Sequence, residues 1–270
     1  MPKSNANLAL KGLDEMFSTE ESRQEQQREQ VQQIPIGELF PFKNHPFKVL
    51  DDESMQRTVE SVAQYGVLAP LIARPRPEGG YEIISGHRRD YCAKVVGLDT
   101  RPVIVRDYSD EDADILVVDY NINRENLLPS EKAKAYKLKL DAMRRTAGRP
   151  AKNSGQLGQN FQGRASVDIL AEQAEESRKQ VQRYIRLTNL IPPLMEAVDA
   201  GKLKFVPAAD YISHLTEKEQ TYLQFLMERD EVSPSVDQAQ RLKQISAEGK
   251  LENNIIDLIM REEKPLEWKV

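Results

Sequence analysis

At 270 residues, with 39% hydrophobic and 30% charged, the chain has room for two modest domains plus tails and argues against one large core. No apolar run approaches the roughly 18 residues needed to span a bilayer, and the N-terminus lacks an apolar signal core, so a cytoplasmic protein without membrane partners is expected. One cysteine, Cys92, excludes an internal disulfide and a cysteine-rich metal site, and the net charge of −5 would argue against nucleic acid if it were evenly spread. It is not: Lys137 to Arg186 holds eleven basic against five acidic residues, a surplus of six, which leaves −11 for the rest of the chain. A basic middle between acidic ends is the asymmetry of a localised nucleic-acid footprint.

Residues 1–33 are polar and glutamine-rich, and composition predicts a disordered tail. Within it, Leu10 to Phe17 forms a small apolar cluster that includes Lys11 and Leu13. From Ile34 the composition turns globular. Ile34-Pro35-Ile36 reads as an edge strand, because proline cannot donate to a ladder. Asp51 or Asp52 caps a helix with Met55, Val59 and Val62 on one face, ending at Gly66. His45, beside Pro46, reads as loop structure rather than as a ligand. Leu71 to Arg74, Tyr81 to Ser85 and Pro102 to Val105 give further strands. Tyr81 to Ser85 stops at Gly86, and a helix follows with Tyr91, Val95 and Val96 at helical spacing. Such a turn leaves unpaired N–H groups at the helix start, and with Arg88 and Arg89 beside them it suits a phosphate or is simply a tight turn with two solvated arginines.

Pro129 and Ser130 start a helix striped by Ala133, Tyr136, Leu140 and Met143. The Gly/Asn/Gln/Ser-rich run after it reads as a loop whose Arg149, Lys152 and Arg164 suit either phosphate or solvent. Ser166 then opens a short helix, a tight turn falls at Glu175 and Glu176, and Ser177 with Gln180 has capping-box spacing. The second helix buries Val181, Tyr184, Ile185 and Thr188 and presents Arg178, Lys179, Gln182, Arg183 and Arg186. That is the layout of a helix-turn-helix, with Ser177, Arg178, Lys179, Gln180, Gln182 and Arg183 as candidate DNA contacts. Beyond Ile191 the chain is helical, and Leu251 to Ile259 suits either a partner helix or an intramolecular fold-back.

Three stretches, Tyr65 to Arg74, Ser85 to Arg89 and Asn121 to Leu127, resemble in order and spacing the boxes of the ParB/KorB family of DNA-segregation proteins. The resemblance implies an α+β ParB-like nucleotide-binding domain over 34–126, an all-α helix-turn-helix domain over 127–230 and a C-terminal helical segment over 231–270. It implies a homodimer on a centromere-like site of double-stranded DNA at the nucleoid. A ParA-type ATPase partner would be engaged through Lys11, Leu13 and Phe17. CTP and Mg2+ would be held by Gly86, His87, Arg88, Arg89, Asn121, Arg124 and Glu125, with Asn121 towards the metal and any CTP hydrolysis serving as a reset. Two positions depart from the family pattern: His87 and Tyr120 stand where carboxylates are usual, which weakens the case for a hard cation. The alternatives are a transcription regulator or nucleoid-occlusion protein of the same family. More remotely, a sulfiredoxin-like or kinase enzyme could share the scaffold, although Gly86 occupies the position where sulfiredoxin needs cysteine.

Overall fold

The computed structural model describes residues 30–43, 45–49, 52–122, 124, 127–147 and 166–262. The Leu10 to Phe17 cluster, Glu125, Arg149, Lys152 and Arg164 lie outside them. Packing divides the chain into two compact units, one ending at Asp107 and the other running from Tyr108 and including Lys43–Lys48.

The first unit is built on a five-stranded mixed sheet of order β1-β5-β3-β4-β2. Its strands are β1 (Val31–Pro35), β2 (Leu39–Phe40), β3 (Leu71–Pro75), β4 (Tyr81–Ser85) and β5 (Thr100–Val105). β1 is indeed an edge strand, antiparallel to β5, with Pro35 opposite Thr100. It begins at Val31, inside the stretch that composition assigns to the tail, because backbone pairing with β5 holds polar Gln32 and Gln33 in place without burying them. β2 escapes sequence reading because it is only two residues long; it runs parallel to β4. Ile34, Leu39, Leu71, Ala73, Ile83 and Val103 form the sheet core. Helices α1 (Glu53–Tyr65) and α2 (His87–Val96) bury Met55, Val62, Cys92 and Ala93 against each other. Asp52 caps α1, accepting from the Met55 amide at 2.8 Å. Cys92 is a small buried core residue, its Sγ 3.3 Å from Met55 Sδ.

The second unit is helical among its described residues: α3 (Asp110–Asp119), α4 (Pro129–Ala147), α5 (Ser166–Gln173), α6 (Arg178–Leu187), α7 (Pro192–Asp199), α8 (Phe205–Asp210), α9 (Glu217–Arg229), α10 (Val236–Ala247) and α11 (Asn253–Arg261). The expected apolar stripe of α4 is there, but Ala135, Lys139 and Ala142 are buried as well. The reason is that α4 is wrapped by neighbours: Met143 and Ala142 meet Ile115 and Ile169, Tyr136 and Leu140 meet Leu170 and Val181, and Ala135 meets Phe47 and Val118. Buried Lys139 is charge-paired with Asp119. His45 is loop structure, its Nδ1 donating to the Phe47 carbonyl at 2.7 Å.

The C-terminal choice left open by sequence resolves towards fold-back. Ile256, Ile259 and Met260 of α11 enter a large core with Leu194, Leu223, Leu226 and Leu242, while Leu258 stays outside. Tyr222 donates to Asp257 at 2.6 Å and Gln238 donates to the Ile259 carbonyl at 2.8 Å, tying α9 and α10 to α11. Met143→Ala should cost about 2–5 kcal/mol, measured by denaturant unfolding, because the fully buried side chain leaves a cavity at the junction of α3, α4 and α5.

Candidate functional site

Gly86 caps α2 with φ 105°, a left-handed conformation that favours glycine. A Cβ there would sit 2.9 Å from Leu71 Cγ and 3.3 Å from an Arg89 terminal nitrogen, so the turn also has no room for one. The Asp90 amide makes the first helical bond to the Gly86 carbonyl, so the first-turn amides are those of His87, Arg88 and Arg89. The tight strand–helix turn expected from sequence therefore forms. The two arginines, however, already have protein partners. Arg89 donates to the carbonyls of Ala69 and Pro70 at 2.7 and 2.6 Å, pinning the first of the three boxes, and burial lowers its pKa. Arg88 reaches Ser54 Oγ at 3.0 Å and lies 3.9 Å from Asp52, at the start of α1. Sequence spacing gives no hint of these interactions, which cross 19 to 36 residues.

Asn121 and Arg124 belong to the second unit. Asn121 donates to the Val117 carbonyl at 2.8 Å, closing the end of α3, and its own carbonyl accepts from the Arg124 amide at 3.1 Å. The Gly86 turn presents helix-start amides of the kind that bind phosphate. Magnesium fares differently: among the described residues no group of three or more His, Asp, Glu or Cys is placed to hold a metal, and an Asn121 amide oxygen alone is not a donor set for a hard cation.

The α5–α6 hairpin forms as its caps require. Ser177 accepts from the Gln180 amide at 3.2 Å, and Glu175 adopts φ 53° in the tight turn. The turn is anchored to α4, because Glu176 accepts from Lys132 at 2.9 Å and Lys132 also lies over the Tyr184 ring. Burial, foremost, and the Glu176 charge push the Tyr136 hydroxyl pKa well up, so it stays protonated beneath the turn. Val181 is buried as expected, together with Leu187, while Tyr184 and Ile185 are half-buried.

The outward face divides in two. Ser177, Arg178, Lys179 and Gln182 are exposed and Gln180 is half-buried. Arg178 pairs with Asp168 of α5 at 3.3 Å across an exposed surface, an interaction of small energetic weight. Arg183, also among the expected DNA contacts, has a partner within the chain. It is drawn inward by Asp210 at the end of α8, donating from Nε at 2.8 Å and from a terminal nitrogen at 2.5 Å, and Arg186 joins it at 2.7 Å. Burial pushes the Asp210 carboxyl up, but the Arg183 hydrogen bond and the charges of Arg183, Arg186 and Lys179 outweigh it and hold the pKa below the usual 3.8. Asp210 lies 27 residues beyond Arg183, and no local sequence signal links them.

Residues 20–122 match the model of the ParB N-terminal domain. The chain carries a ParB N-terminal domain. It is related to stage 0 sporulation protein J of Bacillus subtilis, 32% identical over 72% of this chain and 60% of the relative. It is also related to the probable chromosome 1-partitioning protein ParB of Deinococcus radiodurans, 31% identical over 64% and 53%. A nucleoid occlusion protein of Halalkalibacterium halodurans is 27% identical over 65% and 55%. The chain thus spans about half to three-fifths of the length of these relatives. Among solved structures, C-terminally truncated ParB from Caulobacter crescentus complexed to the centromeric parS site gives 22% identity and a TM-score of 0.44 over 79% of this chain and 98% of that one. The same protein complexed with CTP-gamma-S gives 24% and 0.33 over 74% and 99%.

Two outcomes follow from this geometry. Gly86→Ala should destabilise by about 1–3 kcal/mol, read as a lowered thermal midpoint, since both the backbone conformation and the Leu71 side chain oppose it. The stability that ionised Asp210 confers should be fully present above the unfolded carboxyl value of 3.8 and lost as pH falls through its lower folded value; Asp210→Asn should remove that part of the acid-side slope in pH-dependent unfolding.

Proposed function

We propose that this chain is a DNA-binding partition protein that recognises a centromere-like duplex site through α5 and α6. The observation that carries this reading is the exposed, polar and basic N-terminal half of a Ser177-capped helix, held by a tight turn against α4, in a chain with a ParB N-terminal domain. Arg178 and Lys179 have the reach and charge for guanine or phosphate, and Gln182 has the amide for adenine. The partition role is supported by the relatives' names, chromosome-partitioning and nucleoid occlusion proteins among them.

The nucleotide part of the proposal places CTP phosphate at the Gly86 turn, on the amides of His87, Arg88 and Arg89. Bound there, the nucleotide supplies a polyanion whose different affinity for two conformations shifts their populations. For the chain's own residues, this means that Arg88 and Arg89 hold α1 and the Ala69–Pro70 carbonyls in the state described here and would exchange some of those hydrogen bonds for phosphate. Asn121, Arg124 and Glu125 are carried in this proposal as further nucleotide-binding candidates on the family resemblance alone, and no step is assigned to magnesium. Homodimerisation and coupling to a ParA-type ATPase through Lys11, Leu13 and Phe17 belong to the same proposal.

Alanine at both Arg178 and Lys179 should weaken site-specific duplex binding by about 1–3 kcal/mol for each side chain that reads a base, measured by fluorescence anisotropy; unchanged binding would move recognition elsewhere. In calorimetric titrations with CTP, ATP, GTP and UTP, binding of CTP alone, abolished by Arg88→Ala, is the expected result. No binding of any nucleotide, with or without duplex DNA, would refute the nucleotide part and leave the DNA part standing.

A further inference from the structure

Helix α6 carries two populations of cation. Arg178 and Lys179 stand exposed at its start, whereas Arg183 and Arg186, one to two turns on, both close on a single carboxylate. Arg183 occupies Oδ2 of Asp210 through two nitrogens, and Arg186 occupies Oδ1. Lys243 of α10 donates to the main-chain carbonyl of the same aspartate at 2.9 Å. The Asp210 side chain is only 16% exposed, so these interactions are shielded more than the surface pair Arg178–Asp168. One negative charge thus holds two guanidinium groups, and the charge of Lys179 is also felt there.

Released from Asp210, two guanidinium groups on the outer side of a DNA-facing helix would find the duplex backbone. Phosphate contacts of that kind add affinity without sequence information, and each steepens the dependence of binding on salt by about 0.9 in log–log slope. Indiscriminate affinity raises competition from every non-cognate site.

We propose that Asp210 is a specificity-setting residue, sequestering Arg183 and Arg186 so that duplex contact falls on the exposed N-terminal half of α6. This rests on the reading of α5–α6 as the DNA-contacting element. Asp210 itself touches no DNA; it acts through the two arginines.

The test uses the full chain as wild type, Asp210→Asn, the double variant Arg183→Gln with Arg186→Gln, and the triple combination. Each is titrated by anisotropy with a random-sequence duplex and with a duplex enriched from a random pool by the wild-type protein, across a series of salt concentrations. Asp210→Asn should bind the random duplex roughly fivefold to tenfold more tightly at low salt, with a slope steeper by about 1–2, and should discriminate less between the two duplexes. The triple variant should return to the wild-type slope, and the double variant should bind random duplex as the wild type does. An unchanged slope in Asp210→Asn that circular dichroism shows to be folded would overturn the proposal. So would a double variant that loses as much random-duplex affinity as Lys179→Ala, and this second arm decides the matter if Asp210→Asn does not fold. A wild-type protein that enriches no duplex would instead refute the DNA-binding reading itself.

Discussion

Helix α4 is buried on most of its circumference, and that constraint organises the second unit. Ala133, Ala135, Tyr136, Lys139, Leu140, Ala142 and Met143 are all at most 4% exposed. A helix enclosed in this way cannot rotate or slide without breaking several packed clusters at once, since interiors are close-packed and resist small shifts. Its N-terminus is fixed too: Asp199 of α7 accepts from the Ser130 amide at 2.9 Å and from its hydroxyl at 2.6 Å, and Glu131 accepts from the amides of Leu128 and Lys48. The α5–α6 hairpin, attached through Lys132, Tyr136 and Leu140, inherits that rigidity. A DNA-reading element benefits from such a mounting, because hydrogen bonds to base edges depend on placement within fractions of an ångström.

The same logic extends to the far side of the hairpin. Gln220 of α9 accepts from the Ile191 amide at 2.9 Å and donates to the carbonyls of Asn189 and Leu215, satisfying the chain reversal after α6 with one buried side chain. With Asp210 at its C-terminal half, α6 is gripped at its turn, its exit and its flank. What remains outward is the short segment Ser177 to Lys179 and Gln182. The basic surplus between Lys137 and Arg186 is thereby pared down, since Lys139, Arg145, Arg183 and Arg186 are all engaged by carboxylates of this chain.

Features set by neighbouring residues are legible in the sequence, and those set by distant ones are not. Strand β4 stopping at Gly86, the Asp52 cap, the Gly66 terminus of α1, the Ser177 cap and the turn at Glu175 each depend on neighbours within a few residues, so propensity and spacing reveal them. Arg89 bonded to the Ala69 and Pro70 carbonyls, Arg88 bonded to Ser54, and Arg183 bonded to Asp210 depend on which elements fold together. An arginine beside a helix start looks the same in sequence whether it awaits a phosphate or holds a loop. The extent of α4 burial is hidden for a related reason: Lys139 breaks the apolar pattern, and its Asp119 partner makes its burial tolerable. The three boxes are legible because order and spacing survive even where individual residues, His87 and Tyr120, depart from the pattern.

Whether the exposed N-terminal half of α6 lies against DNA is measured most directly by photo-crosslinking, with the reactive amino acid at position 182 in place of Gln182 and, in a separate protein, in place of Phe225, which is exposed on α9. Irradiation with a duplex enriched by the wild-type protein should give a covalent protein–DNA adduct from the α6 position and none from the α9 position. An adduct from α9 with none from α6, under conditions where both proteins bind the duplex, would contradict the account and put the DNA on the other helices of this unit.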